Sequence, residues 1–211
     1  AELDFAIRKL PIPDPEAVYV AFPFRAPDSR LLYEAQGGCV TPGDDQIPGS
    51  SSDWQTFQHF VAVRSPQGQI VWGSEQVPLV QLGDFNLGKW QRVAQVEKPH
   101  IYSWVMNNSW FTNFRATQEG EFRWSYYLTS LADTSRTAAT RFGWSSQVPL
   151  AARVSPAGRT SGAPRPWTFS ALRLREPNAL LVGARPSADS RGILCHVRET
   201  EGQAFRASSA N

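Results

Sequence analysis

Cysteine is nearly missing from this chain: only Cys39 and Cys195 occur among 211 residues, too few for a disulfide framework. Cys39 follows a glycine pair, whereas Cys195 sits in the apolar run Ile193-Leu194-Cys195-His196-Val197, and two free thiols are expected. Lysine is as scarce, at Lys9, Lys89 and Lys98 only; the positive charge is otherwise arginine, spread along the sequence, and the net charge is +2. That balance leaves no electrostatic footprint for nucleic acid or for an anionic membrane, and neither partner is expected. No apolar run approaches the roughly 20 residues that a spanning helix needs, and the N-terminus lacks the order of a secretory signal. The chain opens at Ala1 without an initiator methionine, and its charged, proline-punctuated start from Glu2 to Glu16 reads like a chain entered midway.

Catalytic machinery is also sparse. His59, His100 and His196 lie far apart, none with a second His or a Cys at metal-ligand spacing, so no metal site is expected from this chain. There is no nucleophile elbow, no phosphate-cradling glycine loop and no paired-cysteine motif. His59 alternates with apolar residues on a strand, His196 lies in another strand, and both read as structural. Paired carboxylates are harder to dismiss, because a glycosidase needs only two, at about 5 Å or about 6.5–9.5 Å. Asp44-Asp45 and Asp53, around Gln46-Ile47-Pro48-Gly49-Ser50, are the local candidates; a turn-rich loop whose acids cap backbone amides is the competing reading. Asn107-Asn108-Ser109 spells a glycosylation acceptor, read here as coincidence.

What the chain does have is the periodicity of strands. Ala17 to Phe24 is aromatic and β-branched. Phe57, His59, Val61 and Val63 alternate, Ser65-Pro66-Gln67-Gly68 turns, and Gln69 to Trp72 begins a partner strand, which predicts a hairpin. Val77 to Leu82, Ile101 to Met106, Val148 to Val154, Trp167 to Leu174, Ala179 to Ala184 and Gly192 to Val197 repeat the pattern. Phe122, Trp124, Tyr126 and Leu128 alternate most clearly, with Arg123, Ser125 and Tyr127 on the other face. One short helix is predicted, capped by Asp133 and running from Thr134 to about Arg141. Many strands with little helix predict an antiparallel β-sandwich, one domain over residues 1–211, with residues 155–166 an exposed Gly/Pro-rich loop.

The densest stretch runs from Ile101 to Thr129. Asn107, Asn108, Ser109, Trp110, Phe111, Thr112, Asn113 and Phe114 are followed by Gln118-Glu119-Gly120. Large aromatics seek burial, while buried amides need partners. Two readings stay open: a sugar site, with an aromatic face on the ring and amides on its hydroxyls, or a structural corner capped by the amides.

Taken in order, several segments resemble the C-terminal region of bacterial glycoside hydrolase family 38, the α-mannosidases. Val18-Tyr19-Val20-Ala21-Phe22-Pro23-Phe24 is similar to an early strand of that region. Gly37-Gly38 and Pro42 to Ser50, with Asp45-Gln46, resemble the loop that follows, and Pro78 to Gly83 the next strand. Tyr102 to Gly120 is the strongest correspondence, through Asn107-Asn108, Trp110, Thr112-Asn113 and Gln118 with Gly120. Arg141-Phe142-Gly143 with Pro149-Leu150, Arg185 to Gly192, and Arg198-Glu199 with Gly202 resemble the closing strands. The chain departs from the pattern at Ser190, at Trp144-Ser145 and at His196-Val197.

The resemblance implies a large antiparallel two-sheet supersandwich similar to galactose mutarotase. It implies a domain that is not itself catalytic and supports an N-terminal catalytic domain of the same polypeptide. That absent domain would carry the zinc and the nucleophile, so no cofactor is expected in this chain. Asp45, Gln46, Asn107, Asn108, Trp110, Asn113 and Gln118 are the candidate carbohydrate-contacting residues. A freestanding carbohydrate-binding module and a non-enzymatic interaction domain are the alternatives.

Overall fold

The structure, a computed structural model, describes residues 1–86, 89–108, 117–152, 170, 172–206 and 209–210, the last pair by backbone only. By its internal contacts the chain divides into two compact units, Ala1–Gln147 and Val148–Asn211, where the sequence predicts a single domain.

The first unit is built from β1 (Glu2–Lys9), β2 (Ala17–Pro23), β3 (Arg30–Ala35), β4 (Gly38–Val40), β5 (Gln55–Thr56), β6 (Val61–Ser65), β7 (Gly68–Gly73), β8 (Leu79–Leu82), β9 (His100–Asn107), β10 (Gly120–Leu131) and one helix, α1 (Arg136–Gln147). Two antiparallel sheets result, a six-stranded one in the order β1-β10-β7-β6-β3-β4 and a four-stranded one in the order β2-β9-β8-β5. The expectation of a predominantly β protein with two antiparallel sheets and little helix is met.

Side-chain alternation explains the layering. On β10, Trp124 and Tyr126 are buried between more open neighbours, as a strand with one inward face requires. They join Phe22, Leu31, Tyr33, Val61, Val63, Trp72, Val80 and Ile101 in one apolar cluster to which both sheets contribute. The Tyr126 hydroxyl donates to Ser103 Oγ of β9 at 2.9 Å, so the buried phenol has a partner. β6 and β7 read as continuous apolar runs because both of their faces are covered. Val61, Val63 and Trp72 face the first cluster, while Ala62 and Val71 join Leu32, Phe60 and Ala139 of α1 in a second. Burying each Val, Leu, Ile or Phe side chain among these contributes on the order of 1.5–3 kcal/mol.

Several sequence expectations shift. The helix is capped at Ser135, whose Oγ accepts from Ala138 N at 3.1 Å, and Asp133 instead accepts from Ser135 N at 2.8 Å. It runs on to Gln147 because Ala139 and Phe142 give it an apolar face to bury. β1 falls in the segment read as a charged lead-in, pairing with β10 from Glu2↔Tyr127 to Lys9↔Gly120. Phe57 to Phe60 lie outside strands, between β5 and β6.

The second unit contains β11 (Arg173–Leu174), β12 (Ala179–Pro186), β13 (Ile193–Glu199) and β14 (Ser209–Ala210). β12 and β13 form an antiparallel ribbon with an irregularity between Leu181 and Gly183, and β11 pairs with β14. Residues 148–152 of the strand expected over Val148 to Val154 are not in a strand, and the 155–166 loop lies outside the described residues.

Candidate functional site

The loop from Thr41 to Gln55 carries Asp45 and Gln46. Asp45 Oδ2 accepts from Thr41 N at 2.7 Å, while Asp45 N donates to Thr41 O at 3.1 Å, which closes a turn. Gln46 works the same way from the other side. Its Oε1 accepts from Gly43 N at 3.0 Å, and its Nε2 donates to Gln55 Oε1 at 2.9 Å. Gln55 Oε1 also accepts from the buried Tyr33 hydroxyl at 2.8 Å. Burial, with the charge of Asp45 in second place, pushes the Tyr33 phenol above its ordinary value. Asp45 therefore closes a turn within the loop, and Gln46 holds the loop onto β3 and β5.

At the end of β9 the polar groups do similar work. Asn108 is buried. Its Nδ2 donates to Ile12 O at 2.9 Å and to Asp14 O at 3.0 Å, and its Oδ1 accepts from Glu16 N at 2.6 Å. Asn108 N completes the clasp by donating to Glu16 O at 3.0 Å. A primary amide has two N–H donors, and both are committed to the β1–β2 connection. Asn107 is exposed at the last position of β9, opposite Ala17. Gln118 is exposed just before β10. Trp110 and Asn113 lie outside the described residues. The partners of Asp45 and Gln46 and those of Asn108 do not overlap, so the hydrogen bonds gather these candidates into two separate corners.

Two clusters escaped sequence reasoning. On the α1 side of the six-stranded sheet, Glu34 has no exposed side-chain surface, and its Oε2 meets His59 Nδ1 at 2.7 Å. Its Oε1 accepts from Trp144 Nε1 at 3.1 Å, and the Trp144 ring lies 4.4 Å from the His59 ring. Cys39 stands opposite Glu34 in the β3–β4 register. A carboxylate on Nδ1 fixes the imidazole tautomer and orientation, as in a hydrolytic triad. The hydrogen bonds described for His59 run from Nδ1 to Glu34 and from Gln147 Nε2 to its carbonyl, and the Glu34 and His59 side chains alone are not a triad. The only sequence signal was an acidic residue, Glu34, inside the apolar run Leu31-Leu32-Tyr33.

The outer face of the four-stranded sheet carries an aromatic layer. Trp104 stacks with Tyr19 and with Trp54, at centroid distances of 5.9 and 4.9 Å, and Trp54 Nε1 donates to the Tyr19 hydroxyl at 3.1 Å. Phe85 sets its edge against Tyr19 at 4.6 Å and Tyr102 at 4.3 Å. Stacking of this kind engages ring faces with one another.

Among the described residues, no group of three or more His, Cys, Asp or Glu side chains could hold a metal ion. No protein-family model matches the chain, and no curated protein sequence matches it.

Proposed function

We propose that this chain is the C-terminal β-domain of an α-mannosidase-like glycoside hydrolase of family 38. In this reading it is a part of the galactose mutarotase-like supersandwich that supports a catalytic domain of the same polypeptide. Zinc and the catalytic carboxylates belong to that other domain. The observation that supports a scaffold over a catalytic or sugar-binding role is the use of Asn108, at the heart of the segment most similar to the family: its donors are committed to Ile12 and Asp14. Asp45 and Gln46 are likewise engaged within their own loop.

The test is an assay of the purified chain on an aryl α-mannoside with zinc present. No turnover is expected. Turnover that scales with protein and disappears in Asp45→Asn would overturn the reading. The reading frame upstream of Ala1 gives an independent check, since it should encode several hundred residues with a His-x-Asp motif.

A further inference from the structure

β3 and β6 place two arginines directly opposite each other: Arg30 pairs with Arg64 in the antiparallel register. Both lie on the same face as Leu32 and Ala62, the face covered by α1. Directly opposed residues hold their Cβ atoms about 4.5–5.5 Å apart, and like charges there are destabilising. The sheet only half compensates this pair. Arg30 reaches Asp44 Oδ2 at 3.5 Å, but both side chains are largely exposed, at 81% and 68%, so water and salt weaken the contact. Arg64 has no carboxylate within ion-pair distance among the described residues. Its Nε and Nη2 both donate to Thr134 O, the former at 3.0 Å. A guanidinium has five N–H donors, and the remainder are uncommitted.

Arg30 and Arg64 line one groove of about 370 Å³ with Thr41, Ser65 and Thr134, and with Asp28 as its acidic member. Thr134 lies just before α1, between the Asp133 carboxylate, which accepts from Ser135 N, and the Ser135 cap. Two arginines from opposed strand positions and the threonine hydroxyls that line the same groove form a setting in which a tetrahedral oxyanion relieves the repulsion and takes charge-assisted hydrogen bonds.

We infer that this groove is a binding site for a small oxyanion of the phosphate or sulfate type, held between Arg30 and Arg64. The inference does not rest on the glycosidase reading, and its test reads a different surface. Inorganic phosphate is titrated into the full chain at low ionic strength, with chloride as the ionic-strength control, while the backbone amide resonances of Ser65 and Thr134 are followed. Saturable, phosphate-specific shifts with a millimolar midpoint are expected. Arg64→Gln should weaken binding by about tenfold or more, Arg30→Gln should weaken it as well, and Asp28→Asn should strengthen it. An acetate arm shows whether a carboxylate can replace the phosphoryl group. Shifts that grow linearly, that chloride reproduces, or that survive both arginine substitutions would overturn the site. Because Arg30 is largely exposed, Arg30→Gln keeps the test decisive even if Arg64→Gln unfolds.

Discussion

Glu34 and His59 are joined by a 2.7 Å hydrogen bond between a carboxylate without exposed surface and an imidazole that keeps 23% of its own. The two ends of this bond are unequal. Removing His59 leaves a charged or newly protonated carboxylate in the interior, whereas removing the charge of Glu34 leaves an imidazole that can turn toward water. His59→Ala should therefore cost about 3 kcal/mol, near the low end for breaking a buried pair, and Glu34→Gln about 1 kcal/mol. Urea unfolding of the two variants decides it, and the reverse order would overturn this assignment of the larger cost to the loss of His59.

Asn108→Ala removes the side-chain bonds to Ile12, Asp14 and Glu16 at once. It should cost about 2–3 kcal/mol, because the freed backbone groups lose partners in a part-buried corner. Asn107→Ala, on the exposed neighbour, should stay within about 0.5 kcal/mol. Amide exchange at Glu16 should accelerate in the first variant only. Equal effects from the two substitutions would remove the clasp as the reason for this asparagine.

The strands that read clearly from sequence are those with one covered face or a strong turn beside them. The β6–β7 hairpin, closed at Ser65↔Gly68, and the alternation on β10 are the clearest cases. β1 was hidden because its outward side chains are charged and its pairing is long-range, with Glu2 opposite Tyr127. β3 was missed for the opposite reason: with both faces covered, Leu31 to Ala35 shows no period. Asp45 and Asn108 were visible as polar residues in turn-rich settings, and the capping alternative weighed for them describes their hydrogen bonds. The Glu34–His59–Trp144 cluster could not be read, because its members are separated by 25 and 110 positions and no local pattern links them.

Gly73, at the end of β7, packs closely against the His59 carbonyl and the side chain of Gln147 at the end of α1. A Cβ there would sit 2.4 Å from His59 O and 2.7 Å from Gln147 Nε2, and Gln147 Nε2 also donates to that same carbonyl. Backbone cannot yield as a flexible side chain does. Gly73→Ala should therefore destabilise by about 2 kcal/mol or more. Gly183→Ala, where an added Cβ meets nothing within 4 Å, should change stability by no more than about 0.5 kcal/mol. Thermal melts of the two alanine variants separate these outcomes.

Glu199 closes a turn in the second unit by accepting from the amides of Glu201 at 2.7 Å, Gly202 at 2.6 Å and Gln203 at 3.0 Å, and from Asn178 Nδ2 at 2.7 Å. Desolvation pushes the carboxyl up, but these donors outweigh it and hold the group below its ordinary value of 4.5. A lowered folded value means stabilisation that is full above 4.5 and fades as pH falls through the folded value. Amide exchange at Gly202, corrected for its intrinsic pH dependence, should show protection that is lost on acidification. Glu199→Gln should lack that step.

Tyr126 is expected to set the alkaline limit of the first unit. Burial pushes its phenol above the ordinary value of 10.0, and the hydrogen bond to Ser103 offsets only part of the rise. The folded state thus keeps its proton where the unfolded chain has lost it. Stability should be flat up to about pH 10 and should fall as pH climbs from there toward the folded value, since each unit of raised pKa is about 1.4 kcal/mol between the two protonation states. Tyr126→Phe removes the titrating group along with the 2.9 Å bond to Ser103, so it should begin about 1 kcal/mol less stable at neutral pH and lose less above pH 10. Chemical denaturation across the alkaline range checks this. A variant that declines as steeply as the parent would assign the alkaline limit to another group, with Tyr33, raised by the same burial, the next to substitute.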